Sequence, residues 1–90
     1  MATTVISGQT SVSTTPVLIT TGVVGASHLY LHAPAGGGAI FVGDATVTIT
    51  TGLELHKGTT LEVWLPESGK LYAVVASGTE ILPWLLTGGR

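Results

Sequence analysis

Val, Ile and Thr supply 30 of the 90 residues. Branching at Cβ restricts their rotamers in a helix, whereas on a pleated sheet the same side chains pack well. No stretch of about 11 residues free of Gly and Pro repeats apolar side chains at helical spacing, while period-two alternation recurs. Leu29, Leu31 and Ala33 alternate with His28, Tyr30 and His32, and Leu61, Val63 and Leu65 alternate with Thr60, Glu62 and Trp64. Val47 and Ile49 alternate with Thr46, Thr48 and Thr50. Each set offers one apolar face to a core. Turn signals at Gly22 and Gly25, the run 36–38, Gly43-Asp44, Gly52, Lys57-Gly58, Ser68-Gly69 and Ser77-Gly78 separate these runs.

The spacing predicts strands over residues 16–21, 27–33, 38–42, 45–50, 53–56, 59–65, 70–76 and 79–86. The expected fold is all-β: a small antiparallel β-sandwich of seven or eight short strands, jelly-roll or Ig-like. Pro83 has no backbone donor, which places the last strand at a sheet edge or on a bulge. Residues 1–14 hold only Val5, Ile6 and Val12 as large apolar groups after Met1. They are expected to form an N-terminal arm that becomes ordered on a partner, with residues 15–90 as the sandwich.

Charge distribution narrows the partners. All eight charged residues fall between Asp44 and Arg90, leaving residues 1–43 with none, and the formal net charge is -2. A free domain of this size spreads about a quarter of its residues as charge over its surface, so a partner is expected to cover part of this one. A chain of 90 residues without cysteine lacks disulfides, and a chain of this size buries only about 63% of its surface on folding, less than larger domains do. Oligomerisation or docking on a larger body is the expected remedy. Three basic residues are too few to neutralise a phosphate backbone, which argues against nucleic acid. The longest apolar run, residues 81–86, is far short of the roughly 20 residues of a spanning helix, and no membrane partner is expected. The first residues show neither a basic n-region nor an apolar h-region, so no export signal is expected.

Chemistry-bearing residues are sparse. His28 and His32 share a strand face, but four residues of strand separate them by about 13 Å, too far for one ion. They read as a solvated or subunit-contact stripe, and His56 reads as a loop residue; no metal and no cofactor is expected. Ser, His and Asp occur without a Gly-x-Ser-x-Gly elbow. Glu54 and Glu62 would project from neighbouring strands as a possible carboxylate pair, although two solvent-facing acids are ordinary in a β protein. The glycine run 36–38 is followed by no Gly-Lys-Ser/Thr and reads as a hairpin loop. Trp64 is opposite in phase to Leu61, Val63 and Leu65, which points it outward, toward a second subunit, a sugar or an edge.

One segment carries a family resemblance. Ala39-Ile40-Phe41-Val42-Gly43-Asp44-Ala45-Thr46-Val47-Thr48 is followed by Gly52-Leu53-Glu54-Leu55 with Lys57-Gly58, then Leu61-Glu62-Val63, then Lys70-Leu71-Tyr72-Ala73-Val74-Val75-Ala76-Ser77-Gly78-Thr79. This order, over about half of the chain, resembles small virion structural proteins of tailed bacteriophages, of the capsid decoration (minor capsid or cement) type. The chain departs from that pattern in Leu55-His56-Lys57-Gly58, where a proline often stands, and in its Trp-containing C-terminal strand. The resemblance implies a non-enzymatic protein bound outside the major capsid protein lattice as a homotrimer, located on the virion and assembled in the host cytoplasm. The contact residues expected toward subunit or capsid are Val5, Ile6, Trp64, Trp84 and Leu86. Two other readings remain: a head-fibre or tail-fibre module, and a carbohydrate-binding module using Trp64, Tyr72 or Trp84.

Overall fold

Alternation of apolar and polar side chains sets most of the strands, and a computed structural model shows how they pair. It describes residues 4–21, 26–34, 36, 38–66 and 69–88. The expected turn at Gly22 and Gly25, Gly37, Ser68 and the first three residues of the expected arm lie outside that set. Eight strands run in chain order among the described residues: β1 (Thr4–Val12), β2 (Val17–Thr21), β3 (Ser27–His32), β4 (Ile40–Gly43), β5 (Leu53–Leu55), β6 (Thr60–Leu65), β7 (Lys70–Val75) and β8 (Glu80–Gly88). They form two four-stranded sheets, ordered β1-β8-β3-β6 and β2-β7-β4-β5, and every pairing is antiparallel. The pairs β1·β8, β2·β7, β3·β6 and β4·β5 nest inside one another along the chain, the pattern of one long hairpin rolled into two facing sheets. The protein is an all-β sandwich of the jelly-roll kind.

The core lies between the sheets. From the first sheet come Val12, Leu29, Leu31, Leu65, Leu82 and Leu86, and from the second Ile40, Val42, Leu55, Leu71, Ala73 and Val75, all buried. Leu29 and Leu31 on β3 and Leu71, Ala73 and Val75 on β7 keep the expected period of two. On β6 the same phase is visible but shallower, because β6 is the outer strand of its sheet and Leu61 and Val63 are only half-buried.

Three expectations are corrected. The first is the arm. Residues 4–12 are β1, in register with β8 from Thr4↔Gly88 to Val12↔Glu80, and Val12 is fully buried. The segment looked poor in apolar groups because Gly8 stands on its inward face. Opposite Gly8 lies Trp84, whose ring occupies the space a side chain would need: a Cβ on Gly8 would come within 2.7 Å of Trp84 Cζ2. The indole Nε1–H donates to Thr10 Oγ1 at 3.0 Å. The large side chain that β1 lacks is thus supplied by β8.

The second correction concerns residues 45–50. They are not a strand but part of a loop, residues 44–52, that joins β4 to β5. Threonine alternation fits a strand, yet threonine hydroxyls also close turns on their own backbone. Thr48 Oγ1 accepts from Thr50 and Thr51 N–H at 3.2 and 3.1 Å, and Gly52 N–H donates to the Thr48 carbonyl at 2.8 Å. The loop folds back so that Val47 is buried against Gly43 and Gly52, while Ile49 is exposed. A Cβ at position 52 would meet Val47 Cγ2 at 2.8 Å and Phe41 Cβ at 2.9 Å, so glycine is what lets the loop close. The third correction is that β8 lies inside its sheet, between β1 and β3. Pro83 is accommodated because pairing with β3 stops at Leu31↔Trp84, one residue before it.

The start of the loop is fixed by Asp44. Its Oδ1 accepts from the hydroxyl of Thr46 at 2.8 Å and from the Thr46 N–H at 2.9 Å. The Thr46 hydroxyl first, and its backbone N–H second, hold the carboxyl below the usual aspartate range. A carboxyl depressed in the native state adds stability above its unfolded pKa of about 3.9, and that stability disappears as pH falls through the native value. Thermal melts from neutral pH downward should therefore show Asp44→Asn less stable than the wild type near neutrality, the gap closing in acid. A gap independent of pH would contradict the assignment. A second expectation follows from β1: removing residues 1–12 strips β8 of one neighbour and the core of Val12. The cooperative melt followed by circular dichroism should be lost, whereas an arm could be removed without touching it.

Candidate interaction surface

Strand pairing places on the outer face of the first sheet every residue opposite in phase to the core. In register across β1, β8, β3 and β6, one row reads Val5, Thr87, His28, Trp64, and the next Ser7, Leu85, Tyr30, Glu62; beyond them the pairs Gln9↔Pro83 and His32↔Thr60 continue on either side of the point where β8 and β3 separate. Glu62 is the one charged residue in these rows, His28 and His32 aside. Trp64 is 66% exposed and Val5 72%, and Ile81 and Leu85 are exposed on the same face. The face mixes these exposed apolar side chains with threonine, serine, glutamine and histidine and carries little charge; exposed large apolar groups at this density fit a surface that another body covers.

His28 joins β3 to β6 across this face. Its Nδ1 is hydrogen-bonded to Glu62 Oε2, and its ring stacks on Trp64 with centroids 5.4 Å apart and planes at 29°. The stack fixes the Trp64 ring over the sheet without burying it. His32 Nδ1 lies 2.9 Å from Thr60 Oγ1 one row over. Both histidines are thus tied to β6 as an exposed stripe and point at no common centre. Among the described residues no group of three His, Cys, Asp or Glu could hold a metal ion. A hollow of about 220 Å³ opens where β3 and β8 part company, lined by Tyr30, His32, Pro83 and Leu85 on the outer face and floored by Leu31 and Trp84.

The structure sorts the expected contact residues. Val5 and Trp64 lie on the outer face, while Ile6 is on the inward face of β1 but 40% exposed at the sheet edge. Trp84 points inward and is half-buried over Gly8 and Thr10, so its ring is already engaged within the chain. Leu86 is fully buried in the core and offers nothing to a partner, a correction that follows from its pairing with Leu29 on the inward face. The three aromatic residues of the sugar reading do not share a face: Trp64 is outside the first sheet, Trp84 inside it, and Tyr72 on the second sheet in opposite phase to Leu71 and Ala73. Glu54 and Glu62 also separate, onto β5 of one sheet and β6 of the other, with Glu54 Oε2 3.6 Å from His56 Nδ1. Leu85 and Ile81 were missed from sequence, because their phase is visible only once β8 is known to lie between β1 and β3, whereas the outward phase of Tyr30 was already set by Leu29 and Leu31.

No family model matches the chain, and no curated protein does. A solved structure of Bacillus endospore appendages, described as a novel family of disulfide-linked pili, is similar over 99% of this chain and 88% of its own, with a TM-score of 0.65 and 9% identity. At that identity the likeness concerns the β-rich fold alone.

Because Trp64 is held on the surface, its loss should separate folding from assembly. Trp64→Ala is expected to change unfolding free energy at low protein concentration by no more than about 0.5 kcal/mol, as for a surface site. It should weaken self-association by at least about 2 kcal/mol, as for an aromatic anchor. Melts at two concentrations, with sedimentation analysis, distinguish this from a purely structural role, which would lower the melting temperature equally at both.

Proposed function

We propose that the chain is a non-enzymatic virion structural protein that decorates and stabilises a tailed-bacteriophage capsid, bound as a homotrimer to the outside of the major capsid protein lattice. The observation that carries this reading is the pair of exposed apolar side chains on the outer face of the first sheet, Trp64 66% exposed and Val5 72% exposed, on a chain whose residues 1–43 have no charge. The resemblance over residues 39–79 gives the reading its direction. The jelly-roll fold supports it only as a platform, since one fold serves many functions. Many copies on a lattice need little affinity each, because attachment through several contacts gains by avidity. The protein would then be assembled in the host cytoplasm and reside on the capsid surface, with no nucleic-acid or membrane partner and no cofactor.

A subunit of a self-assembling fibre is the second reading, favoured by the likeness to the appendage protein. That protein forms disulfide-linked pili, whereas this chain has no cysteine, so any assembly of its copies would not be disulfide-linked. The carbohydrate-binding reading is weaker, because a stacking platform needs aromatic rings on one face and Trp64, Tyr72 and Trp84 lie on three.

The test is addition of the purified chain to capsids of the source phage that lack it. Saturable binding and a higher temperature of capsid disruption are expected. Failure to bind either expanded or unexpanded capsids would overturn the decoration reading.

A further inference from the structure

We propose that copies of this chain join edge to edge through the first sheet, β6 of one copy adding antiparallel to the free edge of β1 in the next. The inference deepens the trimer reading above and names its interface. Its first support is topological. Neighbours in the order β1-β8-β3-β6 are all antiparallel, so β1 and β6 run in opposite directions. A neighbouring copy in the same orientation therefore presents β6 antiparallel to β1, and the hydrogen-bonding pattern continues across the boundary.

The second support is side-chain complementarity in that register. Val5 and Trp64 stand at opposite ends of one row on one face. Continuing the row across the boundary sets Trp64 of one copy beside Val5 of the next, the two most exposed large apolar residues of the sheet. The following outward pairs are Glu62 with Ser7 and Thr60 with Gln9. On the inward face Val63 meets Ile6, each left partly exposed by its edge position. The six residues of β6 thereby cover residues 4–9 of β1.

The third support is the contrast between edges. Long unprotected edges invite strand addition, and proteins blunt them with short strands, bulges, charge or proline. Among the described residues β5 is three residues long, and β2 is five long with a register shift between Leu18 and Thr20. The β1 edge runs nine residues with no charge, no proline and no shift in register. A second copy is the occupant because the matching row, the opposite strand direction and the matching inner residues all belong to this same chain. The contact is heterologous, so closing it at three copies gives a ring-shaped trimer, while failing to close gives a filament.

The absence of native cysteine permits a direct test with the full-length chain. Val5 and Trp64 of one chain are three strand spacings apart, about 14 Å, beyond a bis-maleimide linker chosen to span less than about 10 Å. Single variants Val5→Cys and Trp64→Cys are treated with the linker alone and mixed. Ser7→Cys and Glu62→Cys form a second set that keeps Trp64 and Val5. The mixtures are expected to give at least about tenfold more crosslinked dimer than either variant alone, because the interface raises the effective concentration of the paired thiols. Crosslinking of Val5→Cys or Ser7→Cys alone would indicate β1·β1 pairing and overturn the proposal. So would a trimer in sedimentation with no mixed crosslink in either set, or a monomer throughout. Capsid binding without a mixed crosslink overturns the edge interface and leaves the decoration reading standing; a mixed crosslink without capsid binding does the reverse.

Discussion

Every other feature of the molecule depends on the nesting of its strand pairs, with β4·β5 innermost and β1·β8 outermost. Because each pair encloses the one before it, the outermost pair links residues as far apart as Thr4 and Gly88. Nothing local holds that contact. It persists because β8 is paired on both flanks and its inward residues Leu82 and Leu86 are fully buried. Such non-local pairing carries a loop-closure cost that the core must repay before the outer strands are held. The loop 44–52 matters for the same reason, since among the described residues it joins the one pair of strands that are consecutive in the chain. Its hydroxyl-capped turns and the buried Val47 reduce the freedom of the tip around which the other pairs fold.

How much of this was legible in the chain depends on what each strand packs against. β3 follows alternation throughout and β7 through its first four residues, because both have a neighbour on each side and a largely apolar inward face, and their bounds were read to within a residue. β1 was illegible because its inward positions at 8 and 10 are Gly and Thr, and the missing bulk comes from Trp84, 76 residues further on. No local pattern shows a glycine filled from across a sheet. The segment 45–50 failed in the opposite way: Thr-Val-Thr-Ile-Thr fits a pleat, but the same hydroxyls cap turns, and the burial of Val47 with Ile49 exposed separates the two.

The candidate surface divides along the same line. The outward phase of Trp64 could be read from its own strand, because Leu61, Val63 and Leu65 fix the face of β6. Leu86 could not be placed without its partner Leu29, since the apolar run 81–86 has no alternation to give a phase. Trp84 shows a further limit: a tryptophan in an apolar strand reads as a contact residue until a Gly8-shaped space and a Thr10 acceptor are known to await it.

The two sheets also differ in how they meet water, and that difference gives the molecule a direction. Asp44, Glu54, Lys57 and Lys70 belong to the second sheet or to the turns around it, and Glu80, at the start of β8, is in the inward phase of the first sheet and accepts from Gly38 N–H. On the outer face of the first sheet Glu62 is the one carboxylate, and it is engaged by His28. A sandwich needs solvating charge on any face left in water and loses stability of association when charge is buried in a contact. Keeping all but one carboxylate off the outer face of the first sheet satisfies both requirements if that face is the covered one. The uncharged stretch 1–43 is then no anomaly of composition. It supplies β1 and β3, half of the covered sheet, along with β2 and β4 of the other, where Leu18 and Phe41 are partly shielded by neighbouring strands rather than by charge.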